Sequence, residues 1–447
     1  MANFLIIGSG AAGIAAASAI RREDQKNKVQ VVTNDPFGYY SRPGLAYLLA
    51  GEVPQNQLFP LEKEYFKAEG IQFVNHQVQA IIPEQHRIKL ENGSHIPYDK
   101  LLLATGATAS LPNVPGIGLE GVVKLDNMED TERILKIAKK SRTAVVIGGG
   151  ITALEIVEGL ATLDVEVHYF LRGEHYWNSV LDEVESKIVE NILLHDGVKI
   201  HYFTELEEIQ GKKGKVGGVI AKQKQNQIHI ECQIVAFAIG IKPRIDLAVQ
   251  AGFKTQRGVL VNTYLQTSKP DVYAAGDVAQ VYDRLSGEYL LDSLWRPAIE
   301  QGWIAGLNMA GSNFEYEKKF PFNVTRLGGL ITTIIGRVGK EVIQDNKANA
   351  DPDVKGIMRG DSEVWRQHTL GILAQTYQET NRIRLYVTPN RITGAIIMGD
   401  QTLSRPLQVL IREQVDISPI RETLLSPHCS IVETIKIFWE EYSKHYA

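Results

Sequence analysis

Two glycine-rich stretches have the spacing of loops that bind the phosphates of a dinucleotide. The first runs from Gly8 to Gly13, follows the apolar residues 4–7 and precedes the helix-forming residues 14–22. In such a strand–loop–helix unit, Gly8 allows the tight turn, Gly10 lets a pyrophosphate approach the backbone, and Gly13 lets the helix pack on the strand. Ala11 and Ala12, between these glycines, are included in the predicted binding site.

The second stretch repeats this pattern after the apolar residues 144–147. Its predicted binding residues are Gly148, Gly150, Ile151 and Ala153, where alanine takes the third small position, as the motif tolerates. The first glycines of the two stretches, Gly8 and Gly148, are 140 residues apart, which is the length of a whole domain. The chain is therefore expected to carry two dinucleotide-binding folds and two cofactors.

The composition limits the class of protein that can hold these loops. The chain has 447 residues, of which 44% are hydrophobic and 22% charged, with a formal net charge of −4. These values indicate a globular protein of several domains and give no nucleic-acid-binding signature. Apolar runs stay short of the roughly 18 residues of a transmembrane segment, and residues 4–7 indicate a buried strand rather than a signal peptide. Two cysteines suit a cytoplasmic location and exclude a disulfide framework.

Two further segments, together with the glycine loops, resemble the FAD/NAD(P)-dependent pyridine nucleotide oxidoreductase family. One is an apolar strand that ends in Thr105 and Gly106, and the other is a strand that ends in Gly276 and Asp277. The four segments occur in the family's order over residues 3–310. The resemblance implies that the first loop binds FAD, that Asp277 bonds the ribityl–phosphate region, and that the second loop binds NADPH or NADH.

Two shorter segments resemble the nitrite-reductase-like and rubredoxin/ferredoxin-reductase-like branch of that family. They are Tyr-Ser-Arg-Pro at 40–43 and Leu-Trp-Arg-Pro at 294–297. The resemblance implies flavin contacts for Arg42, Pro43 and Trp295, although Arg42 could be a surface cation and Trp295 a core residue. It also places Glu155 opposite the nicotinamide, unless Glu155 is only a helix-surface acid, and adds Gly240 to the cofactor-binding residues.

The predicted fold class is α/β, with two three-layer Rossmann-like domains and a C-terminal α+β domain. The predicted FAD-binding domain comprises 1–114 and 246–311, the NAD(P)-binding domain 115–245, and the C-terminal domain 312–447. Residues 382–387 and 392–400 read as a strand–turn–strand pair, and 431–442 as an amphipathic helix that docks on its own core. The resemblance implies that the C-terminal domain covers the flavin and forms a homodimer interface.

The cysteines indicate which reaction the chain does not perform. Disulfide reductases of the family place a redox thiol beside the flavin, but here no cysteine occupies those positions. Cys232 lies in an apolar, strand-like stretch and is predicted to be a buried thiol, and Cys429 a free thiol in the tail. The electron acceptor is therefore expected to be external.

The residues after the second strand of each glycine unit bear on nucleotide choice. In the first unit these are Asn34 and Asp35, and either could bond the adenosine ribose. In the second unit Leu171 occupies the position where an acid would favour NADH, and Arg172 follows it. A guanidinium binds a 2′-phosphate well, so the sequence favours NADPH over NADH.

The predicted function is that of an FAD-dependent NAD(P)H oxidoreductase. The favoured acceptor is a small electron-carrier protein of the rubredoxin or ferredoxin kind, or a nitrite-reductase-like module. Reduction of a quinone or oxygen is an alternative, and a nucleotide-binding sensor or assembly component with negligible turnover is another. No metal site is predicted, because no histidine pair has ligand spacing in a suitable context.

Overall fold

The computed structural model describes residues 2–283, 287–339, 356–358, 367–368, 371–376, 380–426 and 429–444. Contacts divide the chain into two compact units. Unit 1 consists of Met1–Asn113, Gly121–Lys140 and Ala236–Lys318. Unit 2 consists of Val114–Glu120, Ser141–Val235 and Lys319–Ala447. No helix in the described ranges is long and apolar enough to cross a membrane.

Unit 1 is built on a five-stranded parallel sheet. Its strands, in spatial order, are Val272–Ala274, Lys100–Leu103, Asn3–Ile7, Lys28–Thr33 and Ile71–Asn75. Leu5 and Ile6 on the central strand are fully buried, as expected for a parallel sheet that is covered on both faces. The glycine loop predicted at Gly8 follows this central strand.

The remaining elements of unit 1 surround this sheet. The helices are Ala11–Glu23, Gly44–Leu49, Lys63–Ala68, Met128–Ala138, Asp246–Gln250 and Trp295–Met309, with 3₁₀ turns at Gln55–Leu58 and Pro83–Gln85. Small sheets are formed by Val78–Ile82, Arg87–Leu90 and His95–Pro97, by Ala107–Ala109 and Ile241–Pro243, and by Val259–Val261, Ala279–Tyr282 and Tyr289–Leu291. Strand Val122–Lys124 also belongs to unit 1, and strand Ile234–Phe237 spans the boundary between the units.

The helices Ala11–Glu23 and Trp295–Met309 pack closely because glycine lines their contact. A Cβ atom on Gly302 would lie 2.1 Å from the Ala12 carbonyl oxygen, and one on Gly306 would lie 2.4 Å from that of Ala16. These distances are too short for any side chain. The close packing fixes the helix of the first glycine loop against the second helix.

Unit 2 contains a second set of parallel strands, Thr143–Ile147, Glu166–Phe170 and Lys199–His201. Helix Ile151–Ala161 follows the first of these strands, and helix Glu183–His195 precedes the third. An antiparallel sheet of Thr204–Lys212, Lys215–Gln223 and Asn226–Ile230 continues from it. The strand–loop–helix order that the sequence predicts for the second glycine stretch is therefore present.

The C-terminal part of unit 2 is a mostly antiparallel sheet followed by helices. The strands, in spatial order, are Phe322–Leu327, Leu330–Gly336, Ile392–Met398, Arg382–Val387, Gly371–Thr376, Gly356–Met358 and Gln367–His368. The helices are Ser404–Arg412, Ser418–Leu425 and Ile431–Lys444, and the last buries Ile431 and Ile435 in the core of its own unit. The predicted strand–turn–strand pair and terminal helix are confirmed, as is the α/β fold class with a C-terminal α+β part.

Candidate functional site

The first glycine loop has two positions that only glycine can occupy, Gly8 and Gly13. Gly8 has φ +111°, and its N–H donates to the Val32 carbonyl oxygen at 2.8 Å. A Cβ on Gly8 would lie 2.2 Å from the Ala104 carbonyl oxygen, and one on Gly13 would lie 2.0 Å from that of Gly8. The loop is thus pressed between the central strand and its neighbours.

The start of the following helix fits the pyrophosphate of a dinucleotide. Gly10 is the N-cap of helix Ala11–Glu23, and no side chain caps it. Nothing lies within 4 Å of the position that a Cβ on Gly10 would take. The N–H groups of the first turn, which includes Ala11 and Ala12, have no acceptor within the helix, and the helix dipole favours an anion there.

The turn that carries Asp277 is held beside this loop. Gly276 has φ +78°, and its N–H donates to Oε1 of the fully buried Gln301 at 2.8 Å. A Cβ on Gly276 would lie 3.0 Å from the Cβ of Ala12. Sequence reasoning did not identify Gln301 as a positioning residue. The one feature of the sequence that could have indicated Gln301 is its place in the segment 294–302.

Asp277 is a largely buried acid whose pKa is shifted upward. Burial is the main cause that raises its pKa to about 6. The positive charges of Arg42 and Arg244 lower this pKa, and the negative charges of Asp126 and Asp292 raise it further. Among the described residues, none donates a hydrogen bond to this carboxylate. Such an acceptor fits the hydroxyl groups of a ribityl chain, because a buried polar group is stable only when bonded.

Asp126 gathers three cations in unit 1. Its carboxylate accepts hydrogen bonds from Lys124 Nζ at 2.9 Å, Thr108 Oγ1 at 2.9 Å and Arg244 Nη2 at 3.2 Å. Arg42 Nη1 donates to the Asp126 carbonyl oxygen at 3.1 Å. Burial alone would raise the pKa of Asp126, but the hydrogen bond and charge of Lys124, with the charge of Arg244, hold that pKa below its usual value.

The predicted residues Thr105 and Gly106 lie against this cluster. Thr105 Oγ1 donates to the Arg244 carbonyl oxygen at 3.0 Å, and the Arg244 N–H donates to the Gly106 carbonyl oxygen at 2.9 Å. Pro43, beside Arg42, is the N-cap of helix Gly44–Leu49. Asp126 and Arg244 therefore connect Arg42 with Thr105 and Gly106. Neither Asp126 nor Arg244 was predicted from the sequence, and no sequence pattern marks Arg244.

The structure distinguishes the two candidates that follow the second strand of unit 1. The Asp35 carboxylate accepts hydrogen bonds from the Phe37 N–H and the Tyr40 hydroxyl, both at 3.0 Å. Asn34 is exposed, and no described residue bonds to its side chain. Asn34 is therefore the more available of the two for a ribose hydroxyl.

Two other predicted residues of unit 1 have defined surroundings. Trp295 begins helix Trp295–Met309, and its ring stacks on Tyr39 with centroids 6.3 Å apart and an interplanar angle of 16°. Gly240 has φ +109°, and its carbonyl oxygen accepts a hydrogen bond from the Ser110 N–H at 2.9 Å. Trp295 is therefore a half-buried aromatic residue rather than a fully enclosed core residue.

The second glycine loop, in unit 2, resembles the first in its helix start. Gly150 is the N-cap of helix Ile151–Ala161, without a side-chain cap, and nothing lies within 4 Å of its Cβ position. The Gly148 N–H points to the Phe170 carbonyl oxygen at 3.5 Å, and Ala153 is fully buried. The loop fits a second dinucleotide phosphate for the same reasons as the first.

Glu155 lies on this second helix in a low-polarity environment. Burial raises its pKa to about 7, the nearby Glu158 carboxylate adds to the shift, and Arg326 opposes it. Glu155 can therefore hold or release a proton near neutral pH.

Leu171 and Arg172 directly follow the strand Glu166–Phe170, as the sequence predicts. Leu171 is buried, and its N–H donates to the His201 carbonyl oxygen at 2.9 Å. Arg172 is exposed, and among the described residues no carboxylate pairs with it. An unpaired guanidinium at the carboxyl end of a parallel strand is available to an anionic ligand.

The two cysteines differ in their burial. Cys232 is fully buried, and burial raises the pKa of its thiol to about 12, so it stays protonated. Cys429 is partly buried, and its Sγ lies 2.7 Å from Thr434 Oγ1. Each is a thiol outside any disulfide, as predicted.

The chain belongs to the pyridine nucleotide-disulphide oxidoreductase family, whose profile matches residues 2–302. It is 31% identical to an NADH oxidase of Methanocaldococcus jannaschii over 336 residues, which cover 73% of this chain and 74% of that protein. It is 25% identical to the NADH-rubredoxin oxidoreductase of Clostridium acetobutylicum, covering 92% and 94% of the two chains. The resemblance stated from the sequence is confirmed.

A further relative is longer than this chain. The chain is 26% identical to a nitrite reductase [NAD(P)H] of Bacillus subtilis over 93% of its own length, and it spans about half of that protein, 48%. Among solved structures, a ferredoxin reductase from Rhodopseudomonas palustris has a TM-score of 0.81 at 21% identity, with 97% of this chain and 100% of that one covered. That likeness shows the same fold.

Family and fold together define the class of activity. The chain is an oxidoreductase of this family, which implies FAD together with NAD(P)H, and the prediction of an FAD-dependent NAD(P)H oxidoreductase is confirmed. The two glycine loops supply one dinucleotide-binding helix start in each unit.

Proposed function

We propose that the protein takes hydride from NADPH and passes the electrons, through FAD, to a separate electron-carrier protein. The observation that carries this proposal is the burial of Cys232, whose thiol stays protonated. Reduced flavin then has no internal disulfide to reduce, and its electrons leave the chain. The name of the clostridial relative, an NADH-rubredoxin oxidoreductase, supports a carrier of the rubredoxin or ferredoxin kind.

In this proposal unit 1 holds FAD. The helix start at Gly10–Gly13 binds the pyrophosphate, Asp277 accepts hydrogen bonds from the ribityl hydroxyls, and Asn34 meets the adenosine ribose. Arg42, held by Asp126, adds positive charge beside Asp277. When bound, FAD supplies the hydride acceptor and the electron relay.

Unit 2 holds the nicotinamide nucleotide in this proposal. The helix start formed by Gly150 and Ile151 binds its pyrophosphate, and the buried Ala153 allows the helix to approach the strand. The family resemblance places Glu155 opposite the nicotinamide, and its raised pKa lets this side chain hold a proton near neutral pH. Gly240, which belongs to unit 1, is proposed separately as a further cofactor-binding residue.

The proposed preference for NADPH rests on Leu171 and Arg172. The buried Leu171 cannot accept hydrogen bonds from a ribose 2′-hydroxyl, whereas the unpaired Arg172 can bind a 2′-phosphate. Loss of such a charge-assisted contact at an exposed site costs about 1 kcal/mol, or about fivefold in affinity.

Stopped-flow spectroscopy tests both parts of the proposal. Flavin absorbance is followed first with NADPH or NADH, and the reduced protein is then mixed with rubredoxin, ferredoxin, a quinone or oxygen. We expect faster reduction at low NADPH than at low NADH and fast reoxidation by a carrier protein. Equal use of both nucleotides contradicts the NADPH preference, and reoxidation by quinone or oxygen alone contradicts the carrier proposal.

A nitrite-reductase-like module is the second candidate acceptor. The observation in its favour is that 93% of this chain aligns with about half of the Bacillus nitrite reductase, so this chain matches one portion of that enzyme. Coupled oxidation of NADPH with nitrite, in the presence of a separately expressed module, distinguishes it from the carrier proposal. A homodimer through residues 312–447 and a cytoplasmic location remain predictions, and light scattering tests the first.

A further inference from the structure

Two turns of unit 2 place bulky residues in a backbone conformation that favours glycine. Phe203, in the turn after strand Lys199–His201, has φ +51°. Lys224, in the hairpin turn after strand Lys215–Gln223, has φ +56°. Turn positions with positive φ normally contain glycine or asparagine, and a strained backbone that persists with another residue often marks a functional site.

Hydrogen bonds connect both turns to the segment that contains Arg172. The Phe203 N–H donates to the Gly173 carbonyl oxygen at 3.2 Å, and the Lys224 N–H donates to the Phe203 carbonyl oxygen at 3.1 Å. The Thr204 N–H donates to the Leu171 carbonyl oxygen at 2.9 Å. The three segments therefore form one continuous backbone network.

Arg172 and Phe203 follow the carboxyl ends of two neighbouring parallel strands. Phe170 and His201 are partners in adjacent parallel strands, and Arg172 and Phe203 each lie two residues beyond that pair. Adjacent strands are about 5 Å apart. Both residues therefore stand at the carboxyl edge of the sheet, where nucleotides bind in folds of this type.

The Lys224 ammonium is held at this edge. Its Nζ lies 5.1 Å from the centre of the Phe203 ring, a cation–π contact that limits the freedom of both side chains. Phe203 is 42% exposed. Within the described ranges neither Arg172 nor Lys224 pairs with a carboxylate. The edge thus presents two uncompensated cations.

We propose that Lys224, held over Phe203, is a second cation for the 2′-phosphate of NADPH, beside Arg172. The inference rests on the proposed NADPH preference and deepens it. Lys224 is a specificity-determining residue in this proposal, and Phe203 is a positioning residue. The phosphate is bound between a guanidinium from one strand end and an ammonium from the hairpin.

Calorimetric titration with 2′,5′-ADP and 5′-AMP tests the proposal on the FAD-loaded protein, without turnover. The variant Lys224→Gln keeps the length of the side chain and removes its charge. Lys222→Gln is the matched control, because Lys222 is an exposed lysine on the strand that leads into the same hairpin. Arg172→Gln gives the effect of the first cation.

We expect Lys224→Gln to weaken binding of 2′,5′-ADP roughly three- to fivefold, which is the upper part of the range for an exposed, screened charge pair. Binding of 5′-AMP should stay within about twofold for every variant, and Lys222→Gln should match the wild type. Phe203→Leu should weaken binding of 2′,5′-ADP to a smaller extent, while the KM for NADH stays unchanged.

Two results overturn the inference, and they are distinguishable. If Arg172→Gln weakens binding of 2′,5′-ADP while Lys224→Gln behaves like Lys222→Gln, Lys224 is no phosphate contact, and the NADPH proposal stands without it. If the wild type binds 2′,5′-ADP no more tightly than 5′-AMP, the NADPH preference itself fails and the inference fails with it.

Discussion

Asp277 gives a prediction about protons rather than turnover. In the ligand-free protein its pKa is about 6, against an ordinary value of 3.8, and burial is the main cause. If hydroxyl groups of FAD donate to its carboxylate, binding restores the ionised form and lowers this pKa. A return to the ordinary value is a shift of about two pKa units, equivalent to about 3 kcal/mol or a hundredfold in affinity.

The sign of the pH dependence follows from the raised pKa. Because burial disfavours the charged carboxylate, the ligand-free protein loses stability from this group as the pH rises from about 4 to about 6. When FAD donates hydrogen bonds to the ionised Asp277, those bonds offset the unfavourable burial of its charge. The affinity for FAD should therefore increase over the same pH range, and binding below about pH 6 should release a proton.

Calorimetric titration of FAD into the apoprotein, in two buffers of different ionisation enthalpy, measures this proton directly. We expect release of about 0.7 proton per FAD at pH 5.5 and less than about 0.1 at pH 7.5, from the two pKa values. Asp277→Asn cannot titrate and should release none at either pH. Asp271→Asn is the control, because Asp271 pairs with Lys100 Nζ at 2.5 Å, is not among the charges that shift the pKa of Asp277, and should leave the release unchanged.

Equal proton release by the wild type and Asp277→Asn would refute the reasoning. The proton would then come from another group, and Asp277 would not be the acceptor for FAD. A second result would also contradict it: Asp277→Asn fails to bind FAD, but the affinity of the wild type for FAD does not change with pH. The Asp277 side chain would then be needed for the folded shape of the site and not for its charge.

Three further predictions concern packing, proton exchange and thiols. Gly306→Ala should lower the free energy of unfolding by about 1–3 kcal/mol, because its Cβ would lie 2.4 Å from the Ala16 carbonyl oxygen. Gly149→Ala is the control, because a Cβ there meets no atom within 4 Å and should leave the stability unchanged. Thermal unfolding measures the stability of both variants. Glu155→Gln should flatten the pH dependence of flavin reduction around pH 7, measured by stopped flow with NADPH, and an unchanged profile would exclude Glu155 from proton exchange. Cys232→Ala should reduce its flavin at the wild-type rate, and a folded variant with a large loss would show that the thiol takes part.

The sequence allowed the two strand–loop–helix units to be predicted because their determinants are local. Gly8 and Gly13 are fixed by contacts within one loop and its neighbouring strands, and the apolar runs that precede each loop give the buried strands. The positions of Leu171 and Arg172 were likewise predicted by counting from a strand that ends at Phe170.

The rest of the site depends on contacts between distant segments. Asp126 collects Arg42, Lys124 and Arg244, residues that are far apart along the chain and carry no motif. Gln301 reaches the Gly276 N–H from another helix. A charge or an amide in the sequence does not reveal which backbone group it will meet, so such partners appear only when the strands are placed.

The two glycine-loop units share the lack of an available carboxylate after their second strands. The two residues after the second strand are Asn34 and Asp35 in unit 1, and Leu171 and Arg172 in unit 2. Asp35 is the one acid among these four, and each oxygen of its carboxylate already accepts a hydrogen bond, from the Phe37 N–H and the Tyr40 hydroxyl. Neither pair of residues therefore offers a free carboxylate to an adenosine ribose. In the proposed function, affinity for both nucleotides then depends more on their phosphates, for which the uncapped helix starts are suited, than on charge-assisted bonds to ribose. Because Arg172 is exposed and NADPH carries a 2′-phosphate that NADH lacks, the proposed contact predicts that rising salt weakens NADPH binding more than NADH binding.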